Sequence, residues 1–424
     1  MKETGIKWIG AIPNDWELKK IKHCFYISKE VAKQENPVIL SLARSGIKIR
    51  DISNNEGQIA ASYDNYNPVK PGDLLLNPMD LYSGANCNMS EVSGVISPAY
   101  INLRAKIDLN PKFFDYYFKT QYWAMAMFAH GKGVSFDNRW TINAEAVLNY
   151  WVPFPSFSKQ NLIVNFLNRK IRDIDSLIEI EKQQINYLLE YKSSVIGEAT
   201  TKGVNCGVDF KDSGIKWIGS IPKDFEVVTL NSIMDGIQNG YVGPTRDLFV
   251  ESGVPYIQSL HIKDGKIVFE KQEYFVRESW ANDRPKIYTN NLLIVQTGDI
   301  GQVAIVDEKH NGHNCHALLI VRLKENIVNP QFVSYFFRSK VGKELLLSTK
   351  TGALLPHLNA GRVGITPVVL PPIKTQKEIV SFLDEKCNEI DLLIQNKNEK
   401  IGVLEMYKKS LIFEYVTGKK EVAA

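Results

Sequence analysis

Gly5-Ile6-Lys7-Trp8-Ile9-Gly10, followed by Ile12-Pro13, Asp15 and Glu17, returns as Gly214-Ile215-Lys216-Trp217-Ile218-Gly219 with Ile221-Pro222, Asp224 and Glu226. Positions 5 and 214 lie 209 apart in a chain of 424 residues. That separation is close to half the chain and far beyond the ~20–50 residue period of solenoids, so it marks duplication of a whole domain. Two further landmarks repeat. Asn110-Pro111-Lys112-Phe113 through Tyr116-Tyr117-Phe118 matches Asn329-Pro330-Gln331-Phe332 through Tyr335-Phe336-Phe337. Gln160, Ile163-Val164, Phe166-Leu167, Ile174-Asp175 and Leu177-Ile178 match Gln376, Ile379-Val380, Phe382-Leu383, Ile390-Asp391 and Leu393-Ile394. The offset drifts from 209 to 219 and back to 216 along these pairs, so insertions separate fixed landmarks. Each copy has a shared frame and a private interior.

Length and composition fit two globular units with connectors: 44% of residues are hydrophobic and 23% charged, ordinary for a folded chain. No apolar run approaches the ~18 residues that span a bilayer, and Met1-Lys2-Glu3 opens no signal-peptide core, so a cytoplasmic protein without membrane contact is expected. The five cysteines (Cys24, Cys87, Cys206, Cys315, Cys387) are scattered and include no C-x-x-C pair, which indicates neither a disulfide framework nor a cysteine zinc site. A net charge of +4 permits nucleic-acid binding without arguing for it, because the usual footprint is a local patch.

From Ser158 to about Ala199, and from Lys374 to about Val416, no proline occurs and apolar residues recur at three- and four-residue steps. Ile171, Ile174, Ile178, Ile185, Leu188 and Val195 form one stripe, and Cys387, Ile390, Ile394, Ile401, Leu404 and Leu411 form its copy. Polar residues break both stripes at matching places: Glu181 and Lys397, Lys192 and Lys408. Such helices would be ~60 Å long, beyond ordinary globular helices, and are expected to pack on each other. Prolines before Ser158 and Thr375 mark their starts, and Gly203 and Gly207 end the first. The rest is rich in short β runs, such as Asp73-Leu74-Leu75-Leu76 and Asn291-Leu292-Leu293-Ile294-Val295, with one aromatic helical stretch per unit. The fold class is therefore α+β, with segments at 1–157, 158–203 (a spacer helix), 204–373 and 374–424 (a second spacer helix).

The chain resembles the specificity (S) subunit of Type I restriction-modification systems. The resemblance rests on the paired GIKWIG starts, the Gly72-Asp73-Leu74-Leu75-Leu76 and Asn291-Leu292-Leu293-Ile294 strands, and the Pro153-Phe154-Pro155…Gln160 and Leu370-Pro371-Pro372…Gln376 helix starts. It implies two tandem target-recognition domains, separated and followed by two long antiparallel coiled-coil helices in a pseudo-twofold arrangement. It also implies a non-catalytic subunit in which each domain reads one half of a bipartite double-stranded DNA target while the helices set the spacer. Two methyltransferase subunits carrying S-adenosylmethionine would dock on the helices and restriction-translocase subunits would join them; no cofactor or metal is implied for this chain. The competing readings are a free-standing two-domain DNA-binding regulator and a helical scaffold whose globular ends bind protein.

Residue types narrow the interface. Asn77-Pro78-Met79-Asp80 shares its start with the Asn-Pro-Pro-aromatic loop of amino-methyltransferases. It lacks the second proline and the aromatic and has no glycine-rich cofactor loop nearby, so Asn77, Tyr82 and Asn86 read as DNA contacts rather than catalysts. Glycine-punctuated loops add Arg44, Lys48, Lys132, Ser135, Asn138 and Arg139 in the first unit. In the second they add Asn239, Tyr241, Thr245, Arg246, Gln258, His261, Lys350, Thr351 and His357. Arginine can pair bidentately with guanine, whereas lysine holds phosphates. His310, His313, Cys315 and His316 crowd together, but their spacing matches no common zinc site; a polar turn before a strand is simpler, with His313 and Asn314 in reach of DNA. Trp8 and Trp217 read as packing residues that lock each domain to a helix end, because two identical copies cannot read different sequences. Gln160 and Gln376 are likewise expected to be structural.

Overall fold

The computed structural model of the chain describes all residues except 33–36, 52–61, 80, 82–85, 134–139, 271, 353–355 and 423–424. It forms two compact units: Met1–Glu181 together with Glu399–Ala424, and Lys182–Asn398. Each unit thus takes one globular segment and one half of each long helix, a division that cuts across the helices rather than at their ends.

In the first unit, four antiparallel strands lie in the order Phe25–Ile27, Ile101–Ala105, Leu74–Leu76, Cys87–Met89. In the second, the order is Met234–Asn239, Leu318–Leu323, Leu292–Val295, Val303–Ile305, again antiparallel. The strand order is the same at the repeat-related positions. Leu74–Leu76 and Leu292–Val295 are buried throughout, which is why both read as unbroken aliphatic runs rather than alternating ones. A two-stranded ladder ties the start of each globular segment to its end: Glu17–Lys20 with Trp151–Phe154, and Glu226–Thr229 with Pro367–Leu370.

Against each sheet packs the aromatic helix, Pro111–Trp123 or Pro330–Arg338. Asn110 and Asn329 cap them through their side-chain oxygens, and proline occupies the first turn, where its missing N–H costs nothing. Phe113, Phe114, Tyr117 and Phe118 in one, and Phe332, Phe336 and Phe337 in the other, are fully buried and supply much of each core.

The long helices are Phe157–Lys202 and Ile373–Val416. Their starting glutamines are structural, for a reason visible twice. Gln160 accepts from the backbone N–H of Asn110 at 2.8 Å and donates to Pro155 O at 2.9 Å. Gln376 accepts from Asn329 N at 2.7 Å and donates to Pro371 O at 2.8 Å. One buried amide in each unit therefore joins the long helix to the cap of the aromatic helix. Tyr116 to Asn168 and Tyr335 to Asp384, both 2.6 Å, repeat that join a turn or two later.

Within each unit the two helical halves run antiparallel. In the first, Phe166 packs on Tyr415, Asp175 pairs with Lys408, and Glu181 with Lys400 at 2.5 Å. In the second, Gln184 accepts from Lys397, and Lys192 pairs with Asp391. The expected apolar stripes are the shielded faces: Ile174, Ile178, Cys387, Ile390 and Leu411 are buried, and the remaining members half-buried.

Both helices stop at a left-handed glycine, and each stop abuts the duplicated motif of its own unit. Gly418 has φ +72°, and a Cβ there would fall 2.3 Å from Pro13 Cδ. Gly203 has φ +77°, with Phe225 Cζ 3.2 Å from the same point. Lys419 adds hydrogen bonds to the carbonyls of Ile9 and Ala11. The motif itself is a turn in which Ile6 O accepts from Ile9 and Gly10, copied by Ile215 with Ile218 and Gly219. Trp8 packs as expected, stacked on Tyr150 with the His130 ring edge-on. Trp217 does not: it is 50% exposed, so the packing role expected of it holds only in the first copy.

Candidate nucleic-acid interface

The private interiors differ in architecture. The first unit inserts the hairpin Leu40–Ala43/Gly46–Ile49 and the pair Asn67–Val69/Gly94–Ile96. The second inserts a four-stranded layer ordered Phe249–Val250, Phe275–Val276, Val254–Ile257, Asn314–Cys315, whose last pairing is parallel.

In the first unit Arg44 is exposed at the hairpin turn, beside Gly46 at φ +127°, and Lys48 is exposed on the returning strand. Lys132 is exposed where its backbone bridges to Thr141. Asn77 is half-buried: its Oδ1 accepts from Met79 N at 2.9 Å in a local turn, and its backbone carbonyl takes the Tyr122 hydroxyl at 2.8 Å. Asn86 is half-buried with its Oδ1 unpartnered. Tyr82, Ser135, Asn138 and Arg139 lie outside the described residues.

In the second unit Asn239, Arg246 and Lys350 are exposed and Thr245 is half-buried. Thr351 and His357 exchange both backbone hydrogen bonds and bring Oγ1 within 3.1 Å of Nε2, closing a short loop base.

Two expected readers prove to be interior braces. His261 is fully buried; its Nδ1 accepts from Gln258 N at 3.0 Å and its Nε2–H donates to Gln272 O at 2.8 Å. Both ring nitrogens are used, and burial lowers the pKa below the ordinary histidine value, which keeps the ring in that neutral tautomer. Gln258 is spent on the same cap, its side chain accepting from the His261 backbone. Asn314 is 1% exposed, and its amide donates to the carbonyls of Ala281, Arg284 and Pro285. His261 has no free ring nitrogen, and the Asn314 amide N–H groups satisfy backbone carbonyls that would otherwise be stranded in the core, while Asn314 Oδ1 is buried without a partner.

Of the histidine cluster, His310 and Cys315 are internal, and His313 and His316 are half-buried. His310 Nδ1 sits 2.5 Å from Asp307, and Cys315 lies inside the sheet, where burial pushes its thiol up to about 12. Among the described residues no group of three or more His, Cys, Asp or Glu side chains could hold a metal ion. His313 is half-buried, with burial its main perturbation and its pKa lowered.

Sequence reasoning missed the neighbours of Tyr241. Trp280 meets its ring edge-to-face at 5.1 Å, and the Arg284 guanidinium lies over both rings, at 5.5 Å from Tyr241 and 5.4 Å from Trp280. The spacing Trp280-x-x-x-Arg284, one helical turn, was the available signal.

No helix among the described residues is long and apolar enough to cross a membrane. The family model described as "Type I restriction modification DNA specificity domain" matches residues 222–402. The chain is 25% identical to the type I restriction enzyme MjaVIII specificity subunit of Methanocaldococcus jannaschii, over 97% of this chain and 94% of that one. It is 22% identical to the EcoBI specificity subunit of Escherichia coli, over 88% of this chain and 79% of that one. A chain solved in work on complex assembly and conformational transition of the type I R-M system shares the fold at a TM-score of 0.70 and 14% identity, covering 97% of this chain and 100% of that one. Beside the duplicated frame and unlike interiors, these sequence likenesses are all to specificity subunits of Type I restriction-modification systems, the family that the repeated motifs resemble.

Proposed function

We propose that the chain reads a bipartite DNA sequence, one half per recognition segment, within a Type I restriction-modification complex, and that it catalyses no step itself. The observation that carries this is the pairing of one frame, repeated down to its capping amides, with two interiors of different strand layout. A repeated frame holds two readers in equivalent surroundings, and unlike interiors give them different sequences to read. Arg44, Lys48 and Lys132 would serve the first half-site and Asn239, Thr245, Arg246, Lys350 and His357 the second, with arginines on base edges and lysines on phosphates.

Partner docking belongs on the helices. Leu177, Val403 and Tyr407 are exposed in the first unit, and Leu393, Tyr187 and Tyr191 are exposed at the repeat-related positions of the second. Apolar residues kept in water twice at the same places suit two copies of one partner, here methyltransferase subunits that bring S-adenosylmethionine; restriction subunits would join that assembly.

The test is the methylated motif in cells carrying the intact system. A two-part motif is expected, with Arg44→Ala and Arg246→Ala each relaxing a different half. A continuous motif, or a change in both halves from either variant, overturns the reading. Adding about four residues near Gln183, with a matching addition near Glu399, lengthens a helix by ~6 Å. It should widen the unread spacer by one or two base pairs at ~3.4 Å each while both half-sites persist.

A further inference from the structure

We propose that Arg284 reads a guanine in the half-site of the second recognition segment, with Tyr241 and Trp280 as its positioning residues. The proposal rests on the functional reading above and adds a specific residue to it.

The surroundings of Arg284 are built from three chain segments. The first is the tight loop from Gly240 to Pro244, where a Cβ on Gly240 would stand 2.6 Å from Cys315 Sγ and 2.7 Å from its carbonyl. Only glycine lets the loop lie that close, and its closeness puts the Tyr241 backbone in register with the strand end: Tyr241 N donates to Cys315 O, and Ala317 N to Tyr241 O. The second is the short helix Glu278–Asn282, which carries Trp280 against Tyr241 and, at 5.7 Å, against the buried Tyr256. The third is the 283–285 stretch, whose backbone is pinned by the Asn314 amide. The braced asparagine thus fixes the origin of the Arg284 side chain, and the two rings fix its end.

What is held there is an exposed guanidinium. Among the described residues it has no carboxylate within ion-pair distance, in contrast to Arg104 on Asp73 and Arg338 on Asp264. An arginine held over aromatic rings has less rotamer freedom left to lose, yet its N–H fork meets no acceptor among the described residues. That combination suits a planar, bidentate acceptor pair, and guanine O6 and N7 in the major groove offer one.

The experiment is selection from a randomised duplex library by the full chain assembled with its methyltransferase subunits, for the wild type, Arg284→Lys, Arg284→Ala and Trp280→Leu. The wild type is expected to select a two-part sequence with a G·C pair in the second half. Arg284→Lys keeps the charge but loses the fork, so preference at that one pair should drop roughly 5- to 100-fold while all other positions stand. Trp280→Leu should relax the same pair less, with folding confirmed by circular dichroism. Uniform weakening on every sequence would mean a phosphate contact and overturn the proposal, as would an unchanged selected motif in Arg284→Lys and Arg284→Ala. A wild type that selects no sequence would overturn the functional reading and the proposal with it.

Discussion

Lys192 and Lys408 occupy the same position of the duplicated helix, and Asp391 and Asp175 the same position opposite. In the first unit the pair is an ordinary surface contact: Lys408 to Asp175 at 2.6 Å, with the side chains 30% and 51% exposed. In the second the Lys192 side chain is 8% exposed, because the hairpin Ile262–Lys263/Lys266–Ile267 brings Asp264 over it at 2.6 Å, and Asp264 also takes Arg338. Asp264 sits at φ +44°, and Gly265 follows at φ +82°, a left-handed backbone that favours glycine. One inherited pair has therefore stayed a helix-to-helix contact in one unit and become, in the other, a clasp holding the recognition segment to its helices.

Lys192→Ala should break the comparison most visibly. It removes a buried lysine stem together with the charge shared by two carboxylates that are themselves 60% and 52% exposed, so unit two should lose about 2 kcal/mol, read from urea denaturation. Gly418→Ala tests the reverse asymmetry, since the frame is tighter at the helix end of the first unit. The added Cβ meets proline ring carbon at 2.3 Å in a left-handed backbone, and about 2 kcal/mol of destabilisation is expected, against about 1 kcal/mol for Gly203→Ala.

Asp264→Asn should act through pH. Partial burial pushes the Asp264 carboxyl up, but Arg338 and Lys192 outweigh it and leave it below the usual carboxylate range. A depressed carboxylate contributes stability that is fully present above about pH 4 and lost as pH falls through its folded value. The variant should flatten the acid limb of unit two's stability curve, with a loss of about 1 kcal/mol at neutral pH. Lys408→Ala is the control and should cost under about 1 kcal/mol. If it matched Lys192→Ala, the clasp would carry no more than the exposed pair.

The same contrast explains what the sequence disclosed. Duplication made the frame legible, since Gln160 with Gln376 and Asn110 with Asn329 recur because each copy solves the same backbone problem. Interiors had no second copy to compare. A polar residue on a glycine-rich loop looks the same whether it faces solvent or caps buried carbonyls, and so His261 and Asn314 were read as outward-facing. Arg284 was passed over for the opposite reason: its importance comes from Tyr241, more than forty positions earlier, which only the fold brings beside it.

The composition of the first unit has a consequence for synthesis on the ribosome. Its helix stop at Gly418 and the Lys419 contact to Ile9 join residues 410 positions apart, whereas the second unit is one continuous stretch. At about 5–20 residues per second, translating residues 182–398 holds the first unit open for on the order of 10–40 s. During that interval the Ile12, Pro13 and Trp16 surface and the helix half up to Glu181 lack the segment that covers them. The second unit, later in the message, is the first able to finish folding, and the nascent chain's aggregation-prone surface lies at its earlier-made end.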